Sequence, residues 1–162
     1  MVKEIMTSRI AMRMFGISLF AALMFGSALG QERSAEDVIK GRQSNLHDLG
    51  SAYKSLVDEL KKSKPILFLV QQYIEQIGAL AKQRTYWFPK GSGPESGIDT
   101  KAKAIIWADP TDFSLKMQGL GVEVDKLLAL QSSTDVAAIS NQVRQLGEAC
   151  KACHDKFREP ED

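Results

Sequence analysis

The chain has 162 residues, a formal charge of +1, 44% hydrophobic residues and 25% charged residues. That is the size and balance of one globular domain. No basic block points to nucleic acid, and no acidic tail points to a basic partner.

Residues 1–30 stand apart from the rest. Lys3, Arg9 and Arg13 precede an apolar run from Met14 to Phe25, and the small residues of GSALG lead into the polar QERSAED. A basic start, a short apolar stretch and small residues before a polar turn describe a secretory signal peptide, cut after Gly30 or after Ala28. The run is short against the ~20 apolar residues of a spanning helix. An exported, periplasmic protein with no stable membrane insertion after processing is therefore expected. Removing this leader takes three bases and one acid with it and turns the net charge to −1, which names no partner.

The remaining domain, 31–162, reads as four helices. The first opens at Ser34, with Asp37 three residues on as in a capping box. Its stripe is Val38, Leu46, Leu49, Tyr53, Leu56 and Leu60, with Arg42 on the same face. The second follows Lys64, with Pro65 as a candidate first helical residue and Ile66, Val70, Tyr73, Ile77 and Leu80 as its stripe. A loop-like stretch, Tyr86 to Ala108, exceeds the usual connection length, a mark of function or of imposed order. Asp109-Pro110 then starts a third helix with Phe113, Met117, Leu120, Val124 and Leu127 inward. Ser133 or Thr134 caps the fourth, whose stripe is Val136, Ile139, Val143, Leu146, Cys150, Cys153 and Phe157.

Spacings alternating between three and four keep one seam of a helix facing its partners. Strand-like alternation is absent. The predicted fold class is all-α, an antiparallel four-helix bundle.

Both cysteines fall in CKACHDKFR at 150–158. Residues three apart on a helix share a face, so the two thiols can anchor neighbouring points of one planar cofactor. His154 then follows at once with a ring nitrogen for its metal. C-x-x-C-H is the attachment signature of covalent haem c. The rivals are weaker but open. A redox dithiol belongs to a βαβ context. Zinc needs four ligands, for which Cys150, Cys153, His154 and His47 leave none to spare. A plain disulfide pair in a cofactor-free interaction module is the third.

With VIKGRQSNL at 38–46, FPKGSG at 88–93, KAKAIIWADPTDF at 101–113 and CKACHDKFR at the end, the chain resembles the cytochrome c′ family, the class II c-type cytochromes. Four-helix bundles are that family's own architecture, so the resemblance and the helix count are not independent arguments for the fold. The resemblance implies one haem c per chain, with Cys150 and Cys153 as thioether anchors and His154 as the iron ligand. It implies haem or propionate contacts for Arg42 and Gln43, a haem-edge contact for Thr100, and a basic neighbour of the histidine in Arg158. Ala104 departs from the proline that many relatives carry there, a change expected to bear on loop stiffness. Homodimers are common in the family.

Function turns on the sixth iron position. By the same resemblance, the residue four after the arginine of the first helix is methionine in the low-spin branch and apolar in many five-coordinate members. Here it is Leu46, which cannot ligate iron. Met117 reads as a core residue, and His47, turned about 100° from Leu46, as a surface one. The expectation is five-coordinate iron that binds NO or CO at Leu46's side, for scavenging or transport, with some electron transfer to an unknown redox partner. A low-spin electron carrier is the alternative. No acid–base pair or nucleophile relay suggests an enzyme.

Overall fold

The computed structural model describes residues 33–160; the expected leader at 1–30 lies outside them. Four long helices form a bundle: α1 (Ala35–Leu60), α2 (Leu67–Ala81), α4 (Pro110–Ala129) and α5 (Val136–Phe157), with one short turn, α3 (Ile105–Ala108), before α4. Among the described residues there is no named strand, and no helix is long and apolar enough to cross a membrane.

Each start has a local cause. Ser34 Oγ accepts the N–H of Asp37 at 3.1 Å and donates to its carboxylate at 2.6 Å, which closes the predicted cap of α1. The start of α2 differs from the sequence reading. Pro65 stands outside the helix, and Ile66 is the cap residue, without a side-chain cap of its own. Its N–H donates instead to the Glu59 carboxylate of α1 at 2.8 Å. The cap of α5 is neither Ser133 nor Thr134 but Asp135, whose carboxylate accepts from Ala138 N at 2.9 Å. Ser133 Oγ in turn accepts from Asp135 N. Pro110 opens α4 as expected, where a missing N–H costs nothing.

The core is built from the predicted stripes with two shifts. Ile39 and Ile74, fully buried, take places that the sequence reading gave to their neighbours Val38 and Tyr73. Ile66, assigned to the second stripe, is exposed because it precedes the helix and lies off its inner face. Leu56, Val70, Ile77, Leu127 and Ile139 are sealed from solvent. Helix α1 packs chiefly on α2 and α4 chiefly on α5, while α1 and α5 are joined more thinly.

The long connection is more ordered in form than a plain loop. It holds two 3-10 turns, Arg84–Tyr86 and Pro94–Ser96, and the helical turn α3. Indole Nε1 of Trp107 donates to Pro89 O at 3.0 Å, and a Cβ on Gly93 would stand 2.8 Å from the Trp107 ring, so only glycine permits that approach. Residues 101–103 then run beside the end of α5. Ala102 pairs antiparallel with Arg158, Lys103 N donates to Phe157 O at 3.0 Å, and Glu159 N donates to Lys101 O at 2.8 Å.

Candidate functional site

Cys150 and Cys153 lie one turn apart on α5, both half-buried. Burial raises the pKa of each, and that of Cys153, with Cys150 beside it, is pushed up to about 11.

His154 sits on the exposed flank of α5, beside a cleft of about 450 Å³ shared with Lys103, Asp155, Arg158, Glu159 and Pro160. Its imidazole is held below the usual histidine range, by desolvation first, then by the Arg158 cation, with Asp155 pulling the other way. Here Asp155 is engaged with Lys151 one turn back, and the arginine has the larger effect on the ring. Both influences beyond solvation are those a metal-bound imidazole would feel from its neighbours.

On α1, Arg42 is only 3% exposed, which excludes a side chain snorkelling to water. Its Nη1 donates to Ser92 O at 3.0 Å, Ser92 Oγ at 3.1 Å and Trp87 O at 3.3 Å. Its Nη2 donates to Thr100 Oγ1 at 2.9 Å. The guanidinium also lies 4.8 Å from the Phe88 ring centre and 5.8 Å from that of Trp107. Every hydrogen-bond acceptor is neutral, and burial pulls its pKa down while the field of Glu95 opposes that shift. Gln43, one residue on, donates to Asp99 O at 3.0 Å. Arg42, Gln43 and Thr100, three candidates spread up to 58 positions apart in sequence, are thus brought together by the long connection.

Leu46, one turn past Arg42, is half-buried and packs on the same core as Phe88, Met117 and Cys150. His47 turns away: its side chain is 80% exposed and its ring lies 3.4 Å from Asp48. Among the described residues no three histidine, cysteine, aspartate or glutamate side chains gather as a metal site. The four-ligand zinc arrangement with His47 is therefore not assembled.

The donor set fits covalently held haem. It has two thiols on one helix face, an imidazole next to them, open space beside that ring, and aliphatic side chains on the thinly joined α1–α5 side. Cys150 and Cys153 would carry the thioethers and His154 the iron. Sequence reasoning missed Trp87 and Ser92, which cage Arg42. The signal for them was weak, since FPKGSG shows a turn but not what the turn encloses.

A family model described as Cytochrome C' matches residues 37–158. The chain is 28% identical over 148 residues to cytochrome c-554 of Cereibacter sphaeroides, covering 88% of this chain and 95% of that protein. It is 41% identical over 69 residues to cytochrome c′ of Rubrivivax gelatinosus, 43% of this chain and 54% of the relative. The crystal structure of the Rubrivivax gelatinosus cytochrome c′ superposes with a TM-score of 0.73 at 29% identity, over 78% of this chain and 98% of that one. A nitric oxide complex of a leucine-to-isoleucine variant of cytochrome c prime from Alcaligenes xylosoxidans gives 0.70 at 25% identity, with the same coverage.

Proposed function

The chain belongs to the cytochrome c′ family and carries one covalent haem c, and from that premise we propose that it is an exported gas-binding haem protein whose iron has His154 as its sole protein ligand. Cys150 and Cys153 fix the porphyrin edge, and Arg42, Gln43 and Thr100 meet the haem from α1 and the long connection. Haem supplies a redox-active iron with an open position. The chain's part is to hold it, to shield one face with Leu46, and to set the charge around it with Arg42 and Arg158.

The observation that supports this most is the half-buried Leu46 one turn from the buried Arg42, with His47 turned out to solvent. An aliphatic side chain at that position offers iron no lone pair and admits only small ligands. A relative of the same fold forms a nitric oxide complex, and NO or CO is the ligand class that fits here. NO scavenging or transport, with electron transfer to a redox partner, follows as the role, and no catalytic turnover is needed for it.

Optical and EPR spectra of the ferric and ferrous holoprotein, before and after NO or CO, test the reading. High-spin signals and ready gas binding are expected. A low-spin spectrum indifferent to CO would overturn it and make the protein a six-coordinate electron carrier.

A further inference from the structure

We propose that Thr100 is a positioning residue, holding the Arg42 guanidinium in register with the helix that carries Cys150, Cys153 and His154; this rests on the reading that Arg42 faces the haem. Thr100 Oγ1 accepts two hydrogen bonds, from Arg42 Nη2 at 2.9 Å and from Ala102 N at 3.2 Å. The residues that follow are tied to the end of α5, through Lys103 N to Phe157 O and Glu159 N to Lys101 O. The residue before is tied to α1, where Gln43 donates to Asp99 O. The run 99–103 is thus a strap bonded to α1 at one end and to the cysteine-bearing helix at the other.

Arg42 has other partners, but they act differently. Ser92 and Trp87 belong to the earlier part of the connection and fix the guanidinium against that turn. The Thr100 bond alone among Arg42's hydrogen bonds joins the cation to the strap that grips α5. Among the described residues its hydrogen-bond acceptors are all neutral, so the field it exerts on the haem and its propionates depends on where the guanidinium is held. A fixed cation favours the ferrous state over the more positive ferric one. A hydroxyl is the whole connection, so exchanging Thr100 for valine removes the acceptor while keeping the side chain's shape.

The test measures the midpoint potential of the holoprotein by spectroelectrochemistry for wild type, Thr100→Val, Thr100→Ser, Arg42→Gln and the Arg42→Gln/Thr100→Val double variant. Thr100→Val is expected to shift the potential downward, Thr100→Ser to restore the wild-type value, and Thr100→Val to add nothing once Arg42 is gone. Should Arg42→Gln fail to accumulate with haem, Arg42→Lys replaces it, since an ammonium cannot span Ser92 and Thr100 together. A wild-type potential in Thr100→Val, or the same shift with and without Arg42, overturns the proposal. CO titration of the same samples keeps the two readings apart. Absence of CO binding in wild type removes the gas-binding reading while the potentials still decide the role of Thr100.

Discussion

The carboxylate of Glu59, near the end of α1, accepts the backbone N–H of Ile66 at 2.8 Å and so caps the helix that follows it. Its other oxygen meets Lys62 Nζ at 2.6 Å, and the glutamate side chain is only 4% exposed. The Ile66 N–H, then Lys62, hold its carboxyl below the usual glutamate range. A group whose folded pKa is depressed adds stability above its unfolded pKa and loses it as pH falls through the folded one. Glu59→Ala is therefore expected to lower the melting temperature by a few degrees at pH 7. The gap to wild type should stay constant down to about pH 5 and close at lower pH. Thermal melts from pH 7 to pH 3 check this, and a gap independent of pH would assign the loss to packing alone.

Arg42 spans the predictions for the long connection. Four hydrogen bonds from one buried cation reach Trp87, Ser92 and Thr100, so its removal strands their acceptors as well as the aromatic rings it lies over. Arg42→Ala should cost about 2–3 kcal/mol in denaturant unfolding of the holoprotein. It should also open residues 86–108 to proteases before the bundle is cut. Equal cleavage of variant and wild type in that segment would mean that the loop is held by Trp107 and Pro89 without the arginine.

The helices could be read from sequence because burial imposes a period on them. The stripe of α5 ran through Ile139, Val143 and Leu146 to Phe157, all buried in the fold, with the cysteines at half-buried positions in the same line. The caps were harder where a partner came from elsewhere in the chain. Ser34 and Asp37 are three apart and announce themselves, whereas the cap of α2 is a glutamate seven residues before the N–H it accepts. The same holds at the site. CKACH is local, so its chemistry is written in five consecutive residues. The surroundings of Arg42 come from positions 45 to 58 residues away, and no periodicity relates them. A resemblance could nominate Thr100, but only the folded connection could show that it bonds Arg42.

Leu46 offers a direct exchange of function. Leu46→Met keeps the side chain apolar and of similar size, so the fold should lose less than ~1.5 kcal/mol. It would bring a thioether sulfur to the haem face that we propose leucine closes. The variant is expected to pass from a high-spin to a low-spin spectrum in the ferrous state and to bind CO more weakly, because sulfur must leave before the gas can enter. Unchanged spectra with unchanged CO binding would place residue 46 away from the iron.

A tighter contact joins the two thinly packed helices. Tyr53 of α1 donates from its hydroxyl to Val143 O of α5 at 3.3 Å, and it reaches that carbonyl by passing over Gly147. A Cβ on Gly147 would lie 2.3 Å from the Tyr53 hydroxyl oxygen, too close for both to stay. Burial, with Cys150 and Glu148 nearby, raises the pKa of Tyr53 and keeps it a phenol donor. Gly147→Ala, which would otherwise strengthen a helix interior, is therefore expected to destabilise the protein by about 1–3 kcal/mol. Tyr53→Phe removes the colliding oxygen and the single hydrogen bond together, at a cost of about 1 kcal/mol. In the double variant the alanine should meet open space, so the combined loss falls below the sum of the two. Denaturant unfolding of all four proteins measures the coupling. Strict additivity would show that the helix moves aside to admit the alanine, and that the approach of α1 to α5 beside Cys150 is set by something other than this tyrosine.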